Sequence, residues 1–184
     1  MAHQRKLIRK SLVALLASAN TAAGTRVQGT RVEPHRRTQL PALSVYTLRE
    51  PVRETSAGTT PRELTRDLKI EIAGWVAHTE ALPVDDAMDD LAEQVERAID
   101  ASPYLGGVVA DIVLESTDME VIEDDGRSDP MVGIVTLTYS ATYYTEPAAG
   151  TVDDLLTVGS TIKPVGGVAD TPTISDVITV QEIA

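Results

Sequence analysis

Apolar and polar positions alternate most clearly between Leu64 and His78. Leu68, Ile70, Ile72 and Val76 fall on one side of an extended chain, and Asp67, Lys69, Glu71 and Trp75 on the other. A period of two belongs to a strand with one buried face, so this stretch predicts a strand whose second face is largely wet. Upstream, Ile8, Leu12, Leu15, Leu16 and Ala19 recur at helical spacing, which predicts an amphipathic helix over residues 4–19. Asn20 and Gly24 supply its stop signals. A short extended piece follows near residues 25–32. Pro34 and Pro41 then bracket a basic loop with His35, Arg36 and Arg37. Residues 40–48 read as a strand, with Leu43 and Val45 on one face and Tyr46 on the other.

Residues 49–63 hold two prolines, Gly58 and a Ser/Thr cluster, and predict a long mobile loop. Pro83 opens a second helix over 84–101. Its buried stripe is Val84, Met88, Leu91, Val95, Ala98 and Ile99, and Asp85, Asp86, Asp89 and Asp90 load the half that the helix dipole favours for negative charge. Ser102-Pro103 and Gly106-Gly107 end it. Residues 108–122 and 132–145 then form a hairpin around an acidic turn containing Asp124, Asp125 and Gly126.

At Pro147 the pattern lapses into a linker, scattered apolar residues and a final run over 174–180 that carries Ile174, Val177 and Ile178. Too little apolar surface remains there for a second core. The expected organisation is a core over 1–146 and an extended C-terminal arm over 147–184 that adds a strand to a neighbour. Two helices on one face of a mostly antiparallel or mixed sheet are the natural layering, an α+β fold.

Composition narrows the chemistry. The 184 residues contain no Cys and no Phe, and 3% are aromatic. That removes disulfides, thiolate metal sites and Cys nucleophiles, and argues against binding single-stranded nucleic acid by stacking. The net charge of -12 hides an asymmetry. Residues 1–69 carry 13 basic and 5 acidic side chains, 70–146 carry 2 and 18, and 147–184 carry 1 and 5. A basic third joined to an acidic remainder suggests complementary surfaces rather than one uniform field. The N-terminus imitates a secretory signal, but its apolar run, Leu12 to Leu16, is short, and the amphipathic helix explains the pattern better. No stretch approaches the roughly 20 apolar residues that span a bilayer.

Motifs for catalysis are missing. His3, His35 and His78 lack metal-ligand spacing and read as ordinary surface histidines, and the aspartates of the second helix lack the spacing and glycine of a calcium loop. There is no phosphate loop, dinucleotide fingerprint or nucleophile elbow. The expectation is no catalytic residue, no metal, no cofactor and no enzymatic activity. The candidates left are arginines, Arg26, Arg31, Arg36, Arg37, Arg49, Arg53, Arg62 and Arg66, suited to phosphates or to acidic partner surfaces without a sequence-reading motif.

Four pieces in order resemble the tail-terminator proteins of long-tailed bacteriophages, the family of the lambda minor tail protein U. They are the helix with Leu12-Val13-Ala14-Leu15-Leu16; Leu40-Pro41-Ala42-Leu43-Ser44-Val45-Tyr46; Leu68-Lys69-Ile70-Glu71-Ile72 before an acidic helix with Leu91 and Val95; and Asp124-Asp125-Gly126 leading to Val135-Thr136-Leu137-Thr138-Tyr139. The resemblance covers about residues 4–146; the segment after Pro147 departs from the shorter members. It implies a structural virion protein, assembled in the host cytoplasm and sited at the head-proximal end of the tail. There a hexameric ring of copies would cap the tail tube, end its polymerisation, and join it to a head-completion or neck protein. Viral DNA would pass through the lumen without sequence-specific recognition, and no membrane would be involved. The expected interface residues are Arg36, Arg37, Arg49, Arg53, Arg62, Asp124, Asp125, Ile174, Val177 and Ile178. Two other readings stand beside it: a head-tail connector or tail-tube protein of similar fold, and a small metal-dependent hydrolase using the aspartates of the second helix.

Overall fold

The computed structural model describes residues 3–30, 35–54, 63–79, 82–122 and 132–145, together with the backbone of 157–162 and 174–179. The chain divides into two compact units, Met1–Pro147 and Ala148–Ala184. In the first, the element order is α1 (Gln4–Ser18), β1 (Val27–Gly29), a 3₁₀ turn (Arg37–Gln39), β2 (Ala42–Thr47), β3 (Val52–Glu54), β4 (Leu64–Ala77), α2 (Val84–Asp100), β5 (Asp111–Ile122) and β6 (Val132–Thr145). The second contains β7 (Thr157–Ile162) and β8 (Ile174–Thr179).

The first unit is an α+β layer structure. Its six-stranded sheet runs β1-β2-β4-β6-β5, with β3 also on β4, and it is mixed because β1 lies parallel to β2 while every other pairing is antiparallel. β4 and β6 form its spine, paired without a break from Leu64↔Thr145 to Ala77↔Val132. β2 takes the outer edge of β4 over Ile70 to Trp75, and β3 takes the same edge over Leu64 to Arg66. Residues 49–63 are therefore not all loop: Val52 to Glu54 pair with β4, where this three-residue run finds a free edge.

Both helices cover one face. α1 packs on β1 and β2, α2 on β4, β6 and β5, and the two helices touch each other. The alternation seen in the sequence sets this face. Leu68, Ile70 and Ile72 on β4, Leu43 and Val45 on β2, and Val135 and Leu137 on β6 are all fully buried, with Val76 at the end of β4 nearly so, beneath Ile8, Leu12 and Leu16 of α1 and Met88, Leu91 and Val95 of α2. Each such side chain stabilises the fold by about 1.5–3 kcal/mol. α1 ends as its stop signal requires, with Asn20 at φ 55 just past the helix. Gly106 (φ 71) and Gly107 (φ 87) turn the chain from α2 toward β5, so β5 begins at Asp111 rather than at residue 108.

Two glycines set the depth of α2. A Cβ on Gly74 would lie 2.8 Å from Leu91 Cδ2, and one on Gly133 would lie 2.7 Å from both Met88 Sδ and Val84 Cγ2. Gly74 pairs with Val135 and Gly133 with Val76, so the absent side chains form a trough on the helix-side face into which α2 settles.

The opposite face is not uniformly wet. Ala42, Ser44 and Ala73 lie on it and are buried. The connection before β2 folds over them: His35 Nε2 is 3.1 Å from Ser44 Oγ, and its ring rests on Trp75 with centroids 4.5 Å apart. His35 is thus a packing residue rather than an ordinary surface histidine. The alternation places Ser44 and Trp75 correctly but says nothing of a distant loop returning across them.

In the second unit β7 and β8 pair antiparallel, from Thr157↔Thr179 to Ile162↔Ile174. The final apolar run is a strand, and its partner is the chain's own β7, a segment with no clear period of its own.

Candidate interaction surfaces

Chain order becomes position across the sheet. The described residues from 3 to 54 build α1, β1, β2 and β3 and carry nine basic and two acidic side chains. Those from 82 to 122 build α2 and β5 and carry one basic and eleven acidic side chains. Because β4 and β6 separate the two groups, one side of the sheet is basic and the other acidic.

On the basic side, the segment from Leu48 to Glu54 is fastened to the end of β4 and β6 by two polar clusters. In the first, Arg66 Nη1 donates to Glu50 Oε2 at 3.1 Å and Arg66 Nε donates to Thr145 Oγ1 at 2.9 Å, while Tyr143 Oη donates to Glu50 Oε1. The Glu50 side chain is 8% exposed, so this carboxylate closes the end of the core. Burial pushes the Tyr143 phenol well above its usual range, and the hydrogen bond to Glu50 adds to the shift. In the second, Arg53 pairs with Asp67, whose other oxygen accepts from Thr142 Oγ1 at 2.9 Å. Arg49 is exposed, its carbonyl accepting from the Lys69 amide at 2.8 Å. The clusters leave Leu48 (49%) and Val52 (46%) exposed beside Arg49 and Arg53.

Arg36 and Arg37 lie at the 3₁₀ turn, on the loop that covers Ser44 and Trp75. Arg36 is exposed and Arg37 half-buried, and the Gln39 amide donates to the Arg36 carbonyl at 2.8 Å. The structure brings Arg49 and Arg53 onto one short segment and places Arg36 and Arg37 on another. Arg62, Asp124 and Asp125 lie outside the described residues. Ile174, Val177 and Ile178 lie on β8 in the second unit.

The acidic side ends in a long free strand. β5 pairs only with β6 among the described residues. It carries a bulge between Leu114 and Ser116, which shifts the alternation by one position, so that Met119 rather than its neighbours faces the helix side opposite Val135. That part of the strand is exposed, including Met119 (44%), Val121 (37%) and Ile122 (46%), and Val113 (53%) is exposed before the bulge. Asp111, Glu115, Asp118 and Glu120 are exposed among them. Glu115 pairs with Lys69 across the sheet. The strand is legible in residue spacing but its edge position is not, because strand order depends on pairings distant in the chain.

Asp85, Asp86, Asp89 and Asp90 are exposed along α2. Among the described residues no three His, Asp or Glu side chains converge to hold a metal ion, and no helix is long and apolar enough to cross a membrane. A mostly apolar cleft of about 200 Å³ lies between α2 and the loops, lined by Leu40, Pro41, Val76, Leu82, Ala87 and Asp90 among others. Among the described residues Tyr139 Oη is buried without a hydrogen-bond partner, and burial, reinforced by Glu96 and Asp100, raises its phenol well above its usual range.

No family model matches the chain, and no curated protein does. Among solved structures it is similar to a chain of the virion of a native gene transfer agent particle, at 16% identity and a TM-score of 0.34, over 72% of this chain and 86% of that one.

Proposed function

We propose that this protein is a non-enzymatic structural component of a phage-like virion that assembles with copies of itself into a ring, in the manner of a tail terminator. The observation that carries the reading is the division of charge across the sheet, basic on the α1, β1 and β3 side and acidic on the α2 and β5 side. A ring needs two different patches on each subunit that fit one another, and a chain with opposite charges on opposite sides has them. The four sequence segments that resemble tail terminators support the narrower assignment. The ring would cap a tail tube, meet a neck protein on its other side and pass DNA through its lumen, with six copies as in that family. Residues 148–184 would contact a neighbouring subunit or the neck.

Mass in solution combined with electron microscopy of the purified protein tests this. Single closed rings are expected. Long tubes would assign the chain to the tube instead, and a monomer at every concentration would end the reading. A metal scan addresses the enzymatic alternative: stoichiometric metal released by mutation of Asp85–Asp90 would replace assembly with catalysis.

A further inference from the structure

The described residues include ten exposed large apolar side chains, and six of them sit at the two lateral edges of the sheet. Val113, Met119, Val121 and Ile122 are on β5, and Leu48 and Val52 are on the β3 segment. Each edge combines this apolar surface with charge of one predominant sign. β5 has Asp111, Glu115, Asp118 and Glu120 and no basic residue. The β3 edge has Arg49 and Arg53, the latter paired with Asp67 while its side chain stays 70% exposed; of its acids Glu50 is turned inward to Arg66 and Tyr143, and Glu54 is the one exposed acid among the described residues there. β5 is also twelve residues long, contains no proline or lysine, and has one side unpaired among the described residues. Natural sheets usually block such an edge against further pairing.

We infer that the β5 edge of one copy docks on the Arg49–Arg53 edge of a second copy, so that subunits join head to tail through the two sides of one sheet. The inference rests on the self-assembly proposed above and names the surfaces that would meet. The apolar residues supply burial and the charges supply register and direction. Asp118 and Glu120 meet Arg49 and Arg53, with Met119 and Val121 against Leu48 and Val52. The same charges oppose the symmetric alternative. Two copies related by a two-fold axis through β5 would set four acids against four, and like charges placed opposite each other disfavour pairing. A head-to-tail contact leaves one complementary edge free on each end of the growing assembly, so it continues until the rotation closes a ring, or as an open filament where the rotation does not close.

Charge reversal on the full-length chain tests this. Asp118→Lys with Glu120→Lys on one edge, or Arg49→Glu with Arg53→Glu on the other, should each weaken self-association by at least tenfold in sedimentation or light scattering. All four substitutions in one chain should restore it, because the reversed edges are complementary again. Circular dichroism checks that each variant is folded. Hydrogen exchange on the unmodified protein gives a second reading that needs no mutation. Those backbone amides of residues 112–121 that do not bond to β6 should gain protection as protein concentration rises. Protection independent of concentration would mean that the chain's own segments cover β5, and would overturn the inference. So would single-edge variants that associate like the parent, or a four-fold variant that stays apart while folded. If the parent itself never associates, the self-assembly reading fails; if it associates and the edge variants do too, only the edge assignment fails.

Discussion

Replacing Gly133 with alanine sets two physical arguments against each other. A glycine within a strand costs roughly 0.5–1 kcal/mol relative to alanine through its backbone freedom, so propensity alone makes Gly133→Ala stabilising. Packing gives the opposite sign. The added Cβ would stand 2.7 Å from Met88 Sδ and Val84 Cγ2 and 2.9 Å from Met88 Cγ. Ordinary carbon contacts lie at about 3.5–4.0 Å, so something must move by roughly 1 Å. Met88 is 1% exposed and Val84 7%, so neither can swing into solvent, and α2 must lift or tilt. Overpacking of this kind costs about 1–3 kcal/mol, which leaves a net loss of up to about 2.5 kcal/mol after the glycine effect is subtracted. Urea unfolding at fixed protein concentration measures it through the midpoint at unchanged slope. Met88→Ala opens the space the new methyl needs. The Gly133→Ala penalty should therefore shrink in that background, giving a coupling of about 0.5–3 kcal/mol in a double-mutant cycle. A higher midpoint for Gly133→Ala alone, or strict additivity with Met88→Ala, would refute the claim that α2 rests on bare backbone there.

Other expectations follow from the polar clusters and the loop contact. Glu50→Ala should cost about 2–4 kcal/mol, because it strands the Tyr143 hydroxyl and leaves Arg66 without its carboxylate, whereas Glu50→Gln should cost less by keeping an acceptor for the phenol; equal losses for the two in urea unfolding would contradict this. The buried tyrosines should part company: Tyr143→Phe destabilises by about 1–3 kcal/mol through the acceptor it abandons, while Tyr139→Phe, whose hydroxyl has no partner, is neutral or stabilising. Both phenols are raised in the folded state, so the neutral form is favoured there. The stability they lend is therefore fully present below about pH 10, where unfolded tyrosine ionises, and is lost above it by about 1.4 kcal/mol per pH unit per tyrosine. Unfolding measured between pH 9 and 11 should show that decline, shallower in either Phe variant. His35→Ala should shift the emission of Trp75, the one tryptophan in the chain, to longer wavelength by freeing its ring; unchanged emission would mean the loop covers it without His35.

The parts of the fold legible in the sequence are those governed by a local period. The core faces of β4 and β6 and the stripe of α2 follow from residue spacing because burial there repeats every second residue or with each helical turn. Asn20 marks the end of α1 because a left-handed residue past a helix needs a side chain that tolerates it. What stayed hidden depends on residues far apart. Val52 to Glu54 is too short to announce itself as a strand, and forms one because β2 leaves the first residues of β4 unpaired. Gly74 interrupts an apolar alternation and looks like a gap in it; only the position of Leu91 above it turns the gap into a seat for the helix. His35 reads as a loop residue until the loop's path brings it onto Trp75.

The charge division was visible along the chain, but its meaning depended on topology. Had the basic and acidic segments alternated across the sheet, opposite charges would lie side by side and their fields would largely cancel. Instead β2 and β3 flank β4 on one side, β6 flanks it on the other, and β5 lies beyond β6. The chain therefore crosses from the basic side to the acidic side once, from β4 into α2, and returns to the spine as β6 after β5. Separation in sequence becomes separation in space, and the unbalanced groups end on opposite sides of the sheet rather than neutralising each other within it. Two carboxylates at the end of β4 are matched within the chain, Glu50 by Arg66 and Asp67 by Arg53, and the Arg53 side chain stays 70% exposed. The exposed charges of β5 and of the β3 edge have a geometry suited to satisfaction between copies. This is why charge reversal on both edges together, rather than on either alone, is the decisive comparison.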